Sequence, residues 1–349
     1  YNASWYFNLG LTLDVMGEHE RAVRAYRAAL NLDADDLETL NCLGVDLTRL
    51  GQYAESLNCF ERIEALDPTY ESCYCNRIVT YAELGDHDRA ELMFYLARQV
   101  SPECPLCYYN IANSLRARGQ FPRAIWCWEQ TLRLDPDHPQ VHARIGEARW
   151  TQGFLDEARR HYAAAIRADP DDAETRLEYG ELLLEMNDPD AAGDAFRAVL
   201  AAQPDSAEAH FGLGELALRR DKLAVAEAQF RLVLSLDRAY RGANLRLGRI
   251  LLRQGRRREA LPHLRRERRA AKDDPQVLQE LGELFIEAGQ MRRANEALRR
   301  LVELVPAEAH AQHNLAVSYF LLQRFDDGIR HCRRALKLKP DYPLALYNL

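Results

Sequence analysis

The most reactive side chains in this sequence are eight cysteines, seven of them before residue 128. Cys73-Tyr-Cys75 and Cys104-Pro-Leu-Cys107 make two close pairs with 28 residues between them. Thiolate pairs at such spacing are the ligand sets of tetrahedral zinc. Cys104 and Cys107 alone have the spacing of a thiol–disulfide couple. A plainer use is packing, because free cysteine behaves as a small apolar residue. The ten histidines are scattered. His310 and His313 are the nearest pair, at i, i+3 with no third ligand evident, and read as a solvated helix face. Gly212-Leu-Gly214-Glu-Leu-Ala217 has the glycine spacing of a dinucleotide-binding turn, which needs a strand before it. Asn2-Ala-Ser4 has the form of a glycosylation acceptor but leads straight into a helical stretch. No catalytic constellation is visible, so the expectation is a chain that is not an enzyme, with no metal and no cofactor.

These residues are set on a scaffold of fixed period. Glycine or alanine recurs every 34 residues, or twice 34 where Ile78 intervenes, at Gly10, Gly44, Ala112, Gly146, Gly180, Gly214, Gly248, Gly282 and Ala316. A second small residue follows twelve positions later, from Ala22 and Ser56 to Ala294 and Gly328. Self-similarity at this period marks a solenoid, whose units bury one another's apolar faces. One unit shows why. Leu40, Leu43, Gly44 and Leu47 fall at helical spacing. Gly51 ends that helix. Ser56, Phe60 and Ile63 restart the period, and Asp67-Pro68 closes the unit because proline cannot continue a helix. Short side chains at Gly44 and Ser56 let the two helices approach, and Phe60 fills the space beyond. In this register Gly214 is a helix-packing glycine, which removes the dinucleotide reading. Cys73 and Cys107 share a position held elsewhere by Thr39, Val141, Thr175, Ala209, Ala243, Val277 and Ala311. Cys59 and Cys127 share another. Packing is therefore the expectation at the cysteines.

The aromatic position reads Tyr26, Phe60, Phe94, Trp128, Tyr162, Phe196 and Phe230, then Leu264, Leu298 and Cys332. The closing proline reads Pro68, Pro102, Pro136, Pro170, Pro204, Pro306 and Pro340, and fails at Ala34, Arg238 and Lys272. This pattern resembles the tetratricopeptide repeat family over nearly the whole chain. The resemblance implies an all-α, right-handed superhelical solenoid of stacked antiparallel helix pairs. The full repeats would be 3–36, 37–70, 71–104, 105–138, 139–172, 173–206, 207–240, 241–274, 275–308 and 309–342, with a partial eleventh at 343–349, in one continuous array over 1–349. Neither end carries a polar cap, which is expected of a segment of a longer protein. Three departures stand out. Arg77-Ile78 replaces the usual Leu-Gly pair, so either the third repeat is splayed or Arg77 reaches a carboxylate. Pro122 and Pro189 fall where a second helix begins, which proline tolerates. Pro262 lies further in and is expected to bend its helix.

The family lines a concave groove with the first helix of each repeat, and the resemblance implies that partners bind there. By register, Asn8, Asn41, Asn76, Tyr109, Asn110, Asn113 and Arg144 would line the first five repeats. An amide supplies both a donor and an acceptor, as a peptide bond requires. The Lys-Asn-Asn-Lys-Arg clamp of related chaperone adaptors is not reproduced, because Asn110 and Arg144 are present without the lysines. Charge is segregated along the array. Repeat 241–274 has a net charge of +8 and repeat 173–206 one of −6. Arg246, Arg249 and Arg253 would project into the groove together, flanked by Glu181, Glu185, Glu280, Glu283 and Glu287. Such a cluster either takes an acidic ligand or is neutralised by neighbouring repeats.

The expected function is a protein–protein interaction scaffold with a protein or peptide partner, acidic near the eighth repeat. One alternative is the substrate-recognition arm of a larger enzyme, such as a glycosyltransferase. Another is RNA or polyanion binding through the Arg-rich eighth repeat, although aromatic side chains are sparse around it. The overall net charge of −7 gives no global pull toward nucleic acid. No apolar run approaches the ~20 residues of a membrane helix. A helical chain with many cysteines reads as reduced and cytoplasmic, and its Ala- and Arg-rich usage as bacterial.

Overall fold

The computed structural model describes residues 2–138, 140–271 and 273–349, and the closing position at Lys272 lies outside them. The described residues form 21 α-helices and no strand. They fall into two compact units, Tyr1–Thr175 and Arg176–Leu349. The first contains α1 Ala3–Val15, α2 His19–Leu30, α3 Leu37–Arg49, α4 Tyr53–Leu66, α5 Glu71–Glu83, α6 His87–Val100, α7 Pro105–Ala117, α8 Phe121–Leu134, α9 Val141–Thr151 and α10 Leu155–Ala168. Helix α11, Ala173–Glu185, begins at the unit boundary. The second contains α12 Pro189–Ala202, α13 Ala207–Arg219, α14 Leu223–Leu236, α15 Ala243–Arg253, α16 Arg257–Ala270, α17 Pro275–Glu287, α18 Met291–Leu304, α19 Ala309–Leu321, α20 Phe325–Leu338 and α21 Pro343–Tyr347. Within each unit, successive helices pack as adjacent pairs.

The close approach of paired helices rests on the small residues. A Cβ placed on Gly44 would lie 2.7 Å from the Phe60 ring, and one on Gly214 2.8 Å from Phe230. Both rings are fully buried. The turn between the paired helices needs a left-handed residue. Seven repeats place glycine there, Gly51 with φ 72° among them; Asn187, Asp221 and Gln323 hold the same position with φ between 53° and 60°. Only glycine adopts this conformation without steric cost.

Arg77 resolves as a carboxylate partner. It is 7% exposed and its Nη1 donates to Glu64 Oε2 at 2.5 Å. Pro122 and Pro189 occupy first-turn positions of α8 and α12. Helix α16 continues through Pro262 to Ala270. Gly212 and Gly214 lie inside α13, with no strand before them. Asn2 serves as the N-cap of α1, its Oδ1 accepting from the Trp5 backbone at 2.9 Å. The solvated-face reading fails for His313. That side chain is buried, because the Tyr342 ring lies 5.2 Å from its own and Asn348 Nδ2 pairs with its Nε2 at 3.0 Å. His310 is exposed, as expected, and meets the Tyr342 hydroxyl at 2.9 Å.

Candidate partner-binding surfaces on the first helices

In the first unit, α1, α3, α5 and α7 follow one another side by side. Residues one helical turn to either side of the 34-residue step therefore meet. Asn76 Nδ2 donates to Asn41 Oδ1 at 2.8 Å, and both side chains are half-buried. The pair uses one donor group and one acceptor. Among the described residues, Asn41 Nδ2 and Asn76 Oδ1 have no partner. Asn8 is exposed. Asn110 has a different role: its Nδ2 donates to the Cys75 carbonyl at 3.2 Å and ties α7 to α5. Asn113 Oδ1 is buried without a partner among the described residues. The Tyr109 hydroxyl donates to Gln140 Oε1 at 2.5 Å, and its ring lies 4.6 Å from His138. Arg144 reaches Glu147 Oε2 at 3.4 Å, and the other Glu147 oxygen accepts from Arg116 at 2.7 Å.

In the second unit the three arginines are brought together and matched by carboxylates. Arg246 lies between Glu215, at 2.5 Å from its Nε, and Glu280, at 3.2 Å from its Nη1. Arg249 donates to the same Glu280 oxygen. Arg253, which is exposed, reaches Asp221 at 3.5 Å. Burial, followed by the charge of Arg246, pulls the Arg249 guanidinium below its ordinary pKa. An acidic ligand here would have to displace Glu280. Glu215 was not among the residues singled out from sequence. It sits 31 residues before Arg246, the same offset as Arg116 to Glu147.

The cysteines depart from the packing expectation. Cys75 and Cys107 form a disulfide, with their Cα atoms 5.2 Å apart. Cys104 Sγ lies 3.4 Å from Cys75 Sγ. Repeat register had matched Cys107 with Cys73, but adjacent first helices bring residues 32 apart into contact. Cys73 is separate, fully buried, and its thiol is pushed up to about 12 by that burial. Cys59 and Cys127, likewise desolvated, are raised to about 11. These three thiols are held in the unreactive protonated form.

Two further clusters escaped sequence reasoning. His19 Nδ1 lies 3.2 Å from Asp14 and 3.1 Å from the buried Asp46. Burial, then the neighbouring Asp14, raises the Asp46 pKa. The Arg49 guanidinium pairs with both carboxylates and supplies the positive charge that a cation would. On α6 and α8, a cleft of about 390 Å³ is lined by Phe94, Tyr95, Arg98, Arg123 and Trp126, among others. No helix of the described residues is long and apolar enough to cross a membrane.

A profile of the tetratricopeptide repeat matches residues 109–173, 144–207, 177–244, 245–291 and 280–343. Two further tetratricopeptide repeat profiles match 3–36 and 37–63. No curated protein matches the chain. Among solved structures, a tetratricopeptide repeat protein from Parabacteroides merdae is 16% identical, over 72% of this chain and 99% of that one, with a TM-score of 0.59. The hetero-tetramer Cut9–Hcn1 of the APC/C is 14% identical over 99% of this chain and 75% of that one, with a TM-score of 0.55. PilW, a type IV pilus biogenesis factor, is 21% identical over 60% of this chain and 97% of that one, with a TM-score of 0.53. At these identities the likeness is one of fold.

Proposed function

Because this chain belongs to the tetratricopeptide repeat family, we propose that it is a protein–protein interaction scaffold whose first helices in the Tyr1–Thr175 unit take an extended segment of a partner. The observation that supports this reading is the Asn41–Asn76 pair. After their mutual hydrogen bond, one amide NH2 and one amide oxygen remain on a half-buried, accessible surface. A peptide bond offers the complementary acceptor and donor. Asn8, Asn113 and Tyr109 extend the same row, and Tyr109 adds an aromatic face at its far end. Arg144 is half-buried beside it. In the second unit, Arg246, Arg249 and Arg253 give specificity for an acidic segment only where its charge outcompetes Glu215, Glu280 and Asp221. Charge matching of this kind acts mainly on specificity and association rate.

The test is selection of a displayed random-peptide library on the full chain, followed by affinity measurement on an Asn41→Ala/Asn76→Ala variant. Peptides that bind the wild type and lose at least about tenfold in affinity for the variant support the reading. Peptides that bind both equally place recognition elsewhere, and the aromatic cleft on α6 and α8 is then the surface to probe.

A further inference from the structure

Four side chains at the junction of the third and fourth repeats converge without a part in partner binding. They are Glu71 and Cys75, one turn apart on α5, and Cys104 and Cys107, at the start of α7. One ligand atom from each lies within 4.8 Å of all the others. Cys75, Cys104 and Cys107 are at most 5% exposed, and half-buried Glu71 borders the cluster. Three thiols and a carboxylate are the composition of a tetrahedral zinc site.

The geometry supports the same use. Cys75 and Cys104 sulfurs are 3.4 Å apart, near the roughly 3.8 Å that two zinc–sulfur bonds of 2.3 Å subtend at a tetrahedral centre. Cys104 is the N-cap of α7, and its sulfur accepts the Cys107 backbone N–H at 3.3 Å. Burial, then the neighbouring Glu71, pushes the Cys104 thiol up to about 12, with the backbone N–H groups at the start of α7 opposing them only in part, so its proton leaves only as a metal takes its place. Asn110 fixes the two helices to each other from the next turn of α7, through the Cys75 carbonyl. The ligands therefore come from two rigid elements held in register.

We propose that the reduced form of this cluster binds one zinc ion through Cys75, Cys104, Cys107 and Glu71. The Cys75–Cys107 disulfide is its metal-free counterpart. A dithiol reductant breaks the Cys75–Cys107 bond, gives up two electrons and two protons to the two sulfurs, and closes to its own cyclic disulfide. Zinc then displaces the three thiol protons to solvent and is held by three thiolates and the carboxylate. In the disulfide form only Cys104 and Glu71 remain as ligands, so affinity is lost. The site would clamp the third repeat to the fourth in a reducing compartment, as the disulfide does in an oxidising one.

The experiment uses the full chain, stripped of metal, in reduced and in oxidised form. Zinc alone is titrated against a chromogenic chelator, and cobalt(II) is added in parallel as a spectroscopic probe. The reduced chain is expected to take one equivalent of zinc. With cobalt it should show an intense thiolate-to-cobalt charge-transfer band and the visible bands of a tetrahedral ion. The oxidised chain should show neither. Cys107→Ser should abolish the charge-transfer band, and Cys73→Ser, which removes a neighbouring thiol outside the cluster, should leave it intact. Glu71→Gln should keep the band but weaken zinc binding by more than roughly tenfold, the least that loss of even an outer-shell partner costs. Helical circular dichroism reports whether each variant folds. Should Cys107→Ser fail to fold, the reduced and oxidised wild type and Cys73→Ser still decide. A reduced chain without the band, or a Cys73→Ser variant that loses it, would overturn the proposal.

Discussion

Arg77 sits where Leu43, Ile111 and Ile145 lie in neighbouring repeats, and it should behave as a liability that Glu64 offsets. The guanidinium is 7% exposed, donates to Glu64 at 2.5 Å, and has a buried Nε with no partner among the described residues. Breaking a fully buried pair by removing one member costs about 3–5 kcal/mol, and a hydrogen bond to a charged group contributes about 1.5–3 kcal/mol. Glu64 is 36% exposed, so water takes over part of its role, and Glu64→Ala should cost about 2 kcal/mol. Arg77→Leu removes the buried charge and the orphaned Nε together, and should change stability by less than about 1 kcal/mol in either direction. The same Glu64→Ala change made in the Arg77→Leu background should then cost less than about 0.5 kcal/mol. Urea unfolding of the four proteins, followed by far-ultraviolet circular dichroism, gives these differences as a double-mutant cycle. The reasoning is refuted if Arg77→Leu is as damaging as Glu64→Ala, or if Glu64→Ala costs the same in both backgrounds.

Asn41→Ala/Asn76→Ala should lower stability by no more than about 1 kcal/mol while peptide affinity falls. Asn110→Ala, by stripping a partner from the Cys75 carbonyl, should cost about 1–2 kcal/mol in the same urea experiment. Gln323→Gly relieves a left-handed residue with φ 60° and should raise stability by about 1 kcal/mol, visible as a higher unfolding midpoint. His161 shares a 3.2 Å contact with His142, and burial, followed by that neighbour's charge, lowers its pKa to about 4. The unfolded chain therefore takes up the proton first as pH falls. The stability contributed by neutral His161 is present above about pH 6.5 and drains away between there and about pH 4, by up to ~1.4 kcal/mol per pH unit. Comparing melting temperatures at neutral pH and near pH 5 should show a smaller drop for His161→Gln than for wild type.

The helices and turns were legible because they depend on local periodicity. The spacing of Leu40, Leu43 and Leu47, the break at Gly51 and the restart at Phe60 each state a backbone requirement within a few residues. The left-handed turn was legible where glycine marks it and hidden at Gln323, where tertiary packing imposes the conformation on an unsuited residue. Contacts between repeats were less accessible. Register matches a residue with its counterpart 34 positions away, but side chains on adjacent first helices meet at other offsets. Glu215 reaches Arg246 at 31, Cys75 reaches Cys107 at 32, and Asn41 reaches Asn76 at 35. Matching Cys73 with Cys107 compared equivalent positions where neighbouring ones were needed. The 34-residue register gives the arginine cluster its Glu280 flank but not Glu215, for the same reason.

That 31-residue offset bears on how an array like this can change length. Tandem repeats expand and contract by unequal crossing-over, which removes or adds whole units and leaves the 34-residue step intact. Loss of the eighth unit, 241–274, would preserve every helix boundary. It would also set Glu280 opposite Glu215 in place of Arg246, so that two carboxylates would face each other at the splice. Loss of the eighth and ninth units together would present Asn314, which already faces Glu283 at 3.4 Å, and an amide tolerates that neighbour. The polar rungs thus act as addresses that make some shortened arrays viable and others self-repelling, although every unit obeys the same helical pattern.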